Sequence, residues 1–184
     1  MKTMTSTDKQ LSRWILRAQL GDRKAWDKLL RCTQPWLYRY LQQVLKDSYS
    51  AEDVLQDVLL LITRKLSHVH SPQLYRPWVY RIATREAFRY LRHRRNYRDS
   101  TLPDKNVVIA PSSEHRPPTP EERAQLHDNI DKLTPNIRAV VTLHYIEDMS
   151  IAATAEILRI PPGTAKSRLA YGLEVLRNQL RKDL

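Results

Sequence analysis

Between Met149 and Arg177 the chain reads M-S-I-A-A-T-A-E-I-L-R-I-P-P-G-T-A-K-S-R-L-A-Y-G-L-E-V-L-R, and this stretch leaves the fewest folds open. Ser150 stands where a hydroxyl caps a helix, and Ile151, Ala155 and Leu158 fall on one face of that helix. Ile160 plugs the turn before Pro161 and Pro162 forbid continuation. A second helix then starts afresh, with Ala165, Leu169, Leu173, Leu176 and Leu180 recurring at spacings of four, four, three and four. The pattern predicts a helix-turn-helix. Thr164, Lys166, Ser167, Arg168 and Tyr171 then face outward near the N-terminal end of the second helix, the end that a recognition helix turns toward base edges. Packing alone would explain two short helices equally well, so the charge decides. Arg159 to Lys182 carries six basic side chains against a single acid, Glu174, whereas Asp128 to Glu156 is net acidic.

Charge also names the class of partner. The 184 residues carry a formal net charge of +11, which points to a polyanion. Nucleic acid fits better than a lipid surface, because the basic residues alternate with aromatics on helices and no lipid-anchoring pattern accompanies them. No apolar run approaches a membrane span and no secretory segment follows Met1, so the expected location is cytoplasmic. Cys32 is the single cysteine, which excludes a disulfide framework and a cysteine-rich zinc site.

The excess charge is not spread evenly. Residues 1–95 hold 19 Lys and Arg against 8 acids, residues 96–118 hold 3 against 3, and residues 119–184 hold 9 against 9. The middle stretch contains four prolines and neither a helical nor a strand period, so it reads as a flexible linker between two small domains, with Val107 to Ile109 its only apolar cluster. Thr119, Pro120 and Glu122 make a capping signature for the second domain, and Thr134-Pro135 opens a further helix.

The first domain is helical as well, since the chain has only three glycines and shows no alternating pattern. Thr7 with Gln10 predicts a cap, followed by a stripe of Leu11, Ile15 and Ala18 that ends at Gly21. A second helix is expected from Arg23 to Gln34, with Pro35 resetting the chain into Trp36 to Lys46. Ser50 with Asp53 predicts the start of a long helix ending near Leu66, on which Val54, Val58, Leu61 and Ile62 face inward. Asp53, Gln56, Asp57, Leu60 and Arg64 share its opposite side. An acidic strip on a basic domain is a docking surface; equally, acids in a first turn favour the helix dipole and often do nothing more. The fold class is therefore all-α: two small helical domains at 1–95 and 119–184, the second holding the helix-turn-helix.

After Ser71-Pro72 comes L-Y-R-P-W-V-Y-R-I-A-T-R-E-A-F-R-Y-L-R-H-R-R-N, in which Tyr75, Trp78, Tyr80, Phe88 and Tyr90 are interleaved with Arg76, Arg81, Arg85, Arg89, Arg92, Arg94 and Arg95. Rings beside guanidinium groups suit single-stranded nucleic acid: unstacked bases lie on the aromatic faces while arginines hold the phosphates. Trp78 and Phe88 serve packing as readily as stacking. A duplex-reading helix at one end and a surface for unstacked bases at the other describe a protein that finds a site and opens it.

The segments A-E-D-V-L-Q-D-V-L-L-L-I-T-R-K-L and W-V-Y-R-I-A-T-R-E-A-F-R-Y-L-R resemble the second region of the extracytoplasmic-function group of bacterial sigma factors. L-T-P-N-I-R-A-V-V-T-L-H-Y-I-E-D-M-S with the helix-turn-helix resembles their fourth region, and order and spacing match over nearly the whole chain. The resemblance implies that Asp53, Gln56, Asp57 and Leu60 meet core RNA polymerase. It implies that the turn from Val69 to Arg76 and the following helix, with Tyr75, Arg76, Trp78, Arg81, Arg85, Arg89 and Arg92, melt and hold the minus-ten element. Thr164, Lys166, Ser167, Arg168 and Tyr171 would read the minus-thirty-five element of promoter DNA. An anti-sigma factor, membrane-bound or soluble, would occlude the polymerase-facing surfaces. Arg85 departs from the family pattern where an asparagine is common, Arg159 replaces a turn glycine and so has to turn left-handed, and Thr154 replaces an aliphatic residue.

Two other classes compete. A repressor or activator acting without polymerase would use the same helix-turn-helix, but has little reason to carry the aromatic and arginine-rich helix. A nuclease would place a metal on Glu52, Asp53 and Asp57, yet neighbouring positions on a helix point apart and no further carboxylate motif appears. His68 and His70 lack a third ligand, and no set of nucleophile, base and orienting group is visible. The reading is thus a non-enzymatic factor that needs no cofactor and no metal.

Overall fold

The computed structural model of the chain describes residues 6–98 and 130–180, and every regular element among them is helical. In order these are α1 (Ser6–Gln19), α2 (Arg23–Leu45), α3 (Ser48–Lys65) and α4 (Tyr75–Arg98), then α5 (Pro135–Val141), α6 (Ile151–Leu158) and α7 (Pro162–Leu180). The linker stretch 99–118, with Val107 to Ile109, and the Thr119, Pro120, Glu122 signature lie outside the described residues. The boundary expected at residue 95 falls inside α4, because nothing between Arg94 and Arg98 stops a helix. Contacts divide the chain into Met1–Gln42 with Asp47–Phe88, and Gln43–Lys46 with Arg89–Leu184.

In the first unit, Gly21 ends α1 with φ +89, as its place after the apolar stripe requires. The Asp22 carboxylate, which the sequence reading missed, then receives the backbone N–H of Lys24 at 2.9 Å and of Ala25 at 3.1 Å and so caps α2. That backbone bond from Ala25, helped by Arg17, holds the Asp22 carboxyl below its usual range.

The break expected at Pro35 is not there: α2 is one helix from Arg23 to Leu45 with Pro35 inside it. Proline removes one backbone hydrogen bond and strains one turn, but Leu29, Thr33, Trp36, Leu37, Tyr40, Leu41 and Val44 continue a single buried face through that turn. Packing along the whole face outweighs the local cost. Two buried hydroxyl pairs lock α2 to α4, Thr33 with Tyr75 at 2.8 Å and Tyr40 with Thr84 at 2.5 Å. Between them the Tyr80 ring packs against Trp36 and Tyr40, with centroids 4.9 and 5.0 Å apart. The Gln19 amide donates to the carbonyls of Leu66 at 2.9 Å and Val69 at 2.8 Å, so α1 staples the loop that leads into α4.

In the second unit Ile130, Leu133, Ile137, Val140 and Val141 pack on Leu169, Leu173 and Leu176. Thr134 precedes α5 with Pro135 in its first turn, and α5 passes into a π turn over Thr142–Ile146. His144 Nδ1 meets the Met149 carbonyl at 2.7 Å, which fixes the chain just before Ser150. Arg138 on α5 is buried, and that burial pushes its guanidinium down to about 10, against the pull of Asp131.

Gly172 is where α5 and α7 approach closest. A Cβ there would lie 2.8 Å from Val141 Cγ2 and 2.9 Å from Ile137 Cγ2. Gly172→Ala gains about 1 kcal/mol of helix propensity but overpacks two stiff β-branched side chains, at a cost of about 1–3 kcal/mol. The net expectation is destabilisation of the second unit by roughly 1 kcal/mol, seen as a melting temperature lower by several degrees in calorimetry. An unchanged or higher value would mean that the helices part without cost.

Candidate polymerase and nucleic-acid interfaces

Helix α3 begins at Ser48 after Asp47, so the cap expected from Ser50 and Asp53 is displaced. Ser50 is buried and its hydroxyl donates to the Asp47 carboxylate, whereas the sequence signature had placed that serine before the helix. Asp53 is thereby released from any capping duty. It is exposed, and so are Gln56, Asp57, Leu60 and Arg64 on successive turns of the same side. The opposite side buries Val54, Leu55, Val58 and Ile62, while Leu61 is only half-buried. Leu60 keeps 55% of its surface in water, an apolar side chain in the middle of an acidic strip. Charge rimming an exposed apolar residue is what a protein-binding patch presents.

Helix α4 presents a different chemistry. Arg81, Arg85, Arg89 and Arg92 are spaced four, four and three apart and so share one face. Arg85, Arg89 and Arg92 are exposed and Arg81 is half-buried. Trp78 and Phe88, both half-buried, border the same face. Tyr75 does not belong to it. Its ring is fully buried and its hydroxyl is bonded to Thr33, so it cannot stack on a base; burial also pushes its hydroxyl far above the ordinary tyrosine range. The phenol ring supplied the same sequence signal as an exposed aromatic, and only the threonine facing it in α2 distinguishes the two. Tyr80 is likewise core. Arg76 is half-buried with its guanidinium 5.1 Å from the centre of the Trp36 ring, a packing contact within the unit.

The same helix holds a residue that the sequence reading passed over. Glu86 is buried, and its Oε1 accepts from Arg85 Nε at 3.0 Å and from Arg85 Nη2 at 2.9 Å. The available signal was its isolation, since no other acid stands between Asp57 and Asp99.

In the helix-turn-helix, Ser150 caps α6 as expected, accepting the Ala153 N–H at 3.1 Å. Arg159 adopts the left-handed conformation at φ 53, ψ 46, and the Ile160 N–H closes on the Ala155 carbonyl at 3.0 Å. Thr154 is fully buried where an aliphatic side chain would fit. Along the start of α7, Lys166 is exposed, and Thr164, Ser167 and Arg168 are half-buried. The Ser167 hydroxyl donates to the Thr164 carbonyl at 3.1 Å, which leaves it only acceptor capacity for a ligand. Tyr171 packs against the apolar core of the unit, so its ring is in part structural. Among the described residues no group of three His, Cys, Asp or Glu side chains converges as a metal site, and His68 Nδ1 instead meets the Lys65 carbonyl at 3.2 Å. No helix among them is long and apolar enough to cross a membrane.

Comparison with known proteins agrees with these surfaces in order and position. The family model for sigma-70 region 2 matches residues 29–97, and that for sigma-70 region 4 matches residues 123–176. The chain is 27% identical over 177 residues to the ECF RNA polymerase sigma factor SigW of Bacillus subtilis, an alignment covering 91% of this chain and 95% of that protein. It is 26% identical over 185 residues to the RNA polymerase sigma-H factor of Pseudomonas aeruginosa, covering 95% and 96%. In fold it is similar to the sigma factor RpoE solved with the anti-sigma factor NepR from Bartonella quintana, with a TM-score of 0.66 at 20% identity over 88% of this chain and 99% of that one. With regions 2 and 4 in that order, the chain belongs to the extracytoplasmic-function group of the sigma-70 family and is a sigma factor of transcription initiation.

Proposed function

We propose that this sigma factor divides its work between the two units read from the sequence, 1–95 and 119–184, joined by 96–118. The first docks core RNA polymerase through Asp53, Gln56, Asp57 and Leu60, and holds the melted minus-ten strand on Trp78, Arg81, Arg85, Arg89 and Arg92. The second reads the minus-thirty-five duplex through Thr164, Lys166, Ser167 and Arg168, with Tyr171 supporting that surface from its base. The observation that carries this reading is the separation of chemistries: an acidic and apolar strip on α3, an arginine face bordered by aromatics on α4, and basic side chains at the start of α7. Each matches one of the three partners of an initiation factor. The protein works in the cytoplasm without catalytic activity or cofactor of its own, and an anti-sigma factor covers its polymerase-facing surface, as NepR accompanies the Bartonella relative.

Run-off transcription with core polymerase on a genomic promoter library tests the whole. The expected result is a small set of promoters transcribed only when the protein is added. Tight, selective binding to the same DNA without polymerase would instead identify a free-standing repressor or activator.

Reading and anchoring within α7 separate by one further measurement. A lost bidentate contact to guanine costs about 1–3 kcal/mol and relaxes one base pair, whereas a lost phosphate contact weakens all sequences alike and lowers the salt slope by about one unit. With holoenzyme carrying Lys166→Ala or Arg168→Ala, selection from a randomised minus-thirty-five element should show relaxed preference for at least one of the two. If both select the wild-type motif at lower affinity, specificity comes from other side chains or from DNA shape.

A further inference from the structure

Most arginines on α4 are suited to hold phosphates, but Arg85 is set apart by its neighbour. Its side chain is 53% exposed while that of Glu86, to which it is tied, is 4% exposed. A carboxylate is withdrawn from water only where something answers its charge, and here a single oxygen takes two donors of the guanidinium, Nε at 3.0 Å and Nη2 at 2.9 Å. Two consequences follow. The Arg85 fork is held in one geometry before any ligand arrives, so the rotamer freedom usually lost on binding is already spent. Its charge is also partly compensated, which weakens the Coulombic attraction that makes an arginine a good phosphate anchor. Arg81, Arg89 and Arg92 on the same face have no such buried carboxylate adjacent in sequence. A pre-set, partly neutralised fork is poorly suited to anchoring and well suited to reading.

What remains of the fork is the Nη1 pair of hydrogens and the second Nη2 hydrogen, an end-on set of donors. That set matches two acceptors side by side, and among the bases guanine offers them at O6 and N7. We propose that Arg85 reads a guanine of the unwound minus-ten strand and that Glu86 is the positioning residue that fixes its fork. The inference rests on the reading of α4 as the surface that holds this strand, and adds to it a base and a second residue.

The test is selection of active promoters from a library randomised through the minus-ten element. It uses holoenzyme reconstituted with the wild-type protein, Arg85→Ala, Arg85→Lys and Glu86→Gln. The wild type is expected to prefer guanine at one position by about tenfold or more. Arg85→Lys keeps the charge and loses the fork, so it should lose this preference as completely as Arg85→Ala, with all other positions unchanged. Glu86→Gln, isosteric but uncharged, should weaken the preference at that same position and no other. On a promoter with that guanine replaced, wild type and Arg85→Ala should transcribe alike. Retention of the preference by Arg85→Lys, or a uniform loss across all sequences, would make Arg85 a phosphate anchor and overturn the proposal. A Glu86→Gln variant indistinguishable from wild type would overturn the part assigned to Glu86. Should the wild-type holoenzyme transcribe nothing, the strand-holding reading of α4 fails and the proposal with it; transcription from a motif whose Arg85-dependent position is not guanine rejects the proposal alone.

Discussion

Reversing charge at Asp53 and Asp57 together, as Asp53→Lys with Asp57→Lys, should cut affinity for core RNA polymerase by about 100-fold or more while leaving the fold intact. Both carboxylates are exposed, four residues apart on α3, with Leu60 exposed one turn further on. Close charge pairs across an interface couple by about 1.5 kcal/mol or more each, so two reversals exceed the factor that a single contact would give. The fold is expected to survive, because the cap position belongs to Asp47 and the buried side of α3 is untouched. Glu52→Lys supplies the control: Glu52 is exposed beside Asp53, but it lies toward Tyr38, whose hydroxyl reaches its Oε1 at 3.4 Å. Pull-down of core polymerase at matched ionic strength would read both. Equal retention by the double variant and the control would remove this strip from the polymerase interface; loss of helicity in the double variant would show that the acids serve the helix.

The sequence made some of this legible and hid the rest for identifiable reasons. The helix-turn-helix could be read almost residue by residue, since a cap, a left-handed turn and a proline stop are local devices, and Ser150, Arg159 and Pro162 each do locally what their chemistry dictates. The faces of α3 were legible for the same reason, because helical period alone sorts Asp53 from Val54. Failures came where long-range packing overrules a local rule. Pro35 is a strong helix breaker, yet a buried face running from Leu29 to Val44 carries the helix across it. Tyr75 carries the same ring as a stacking residue, and its fate is set by Thr33, 42 positions away. Glu86 went unnoticed because a lone acid among arginines resembles any surface ion pair. Its meaning depends on burial, which no sequence window reports.

The strand-holding face invites the second test with a large expected effect. Replacing Arg81, Arg89 and Arg92 together by Ala should lower open-complex formation by about 100-fold, with closed-complex binding reduced far less. These side chains share a face of α4 with Trp78 at its border, and a surface of rings and guanidinium groups gains its ligand only when bases have left the duplex. At about 1 kcal/mol or more per lost charge-assisted contact, three losses give the stated factor, and the salt slope of opening should fall by about two units, as for three single-strand phosphates. Arg85 is left in place so that its base contact does not enter the comparison. Permanganate reactivity of promoter thymines follows opening, and retention of promoter DNA by holoenzyme at low temperature follows the closed complex. Equal losses in the two would place these arginines on duplex phosphates already engaged before melting, and the holding of the strand would then fall to Trp78 and Phe88. That outcome has its own signature, because stacking on a ring depends little on salt whereas a phosphate contact depends on it steeply. The salt slope of the opening step therefore tells which group on α4 pulls the strands apart.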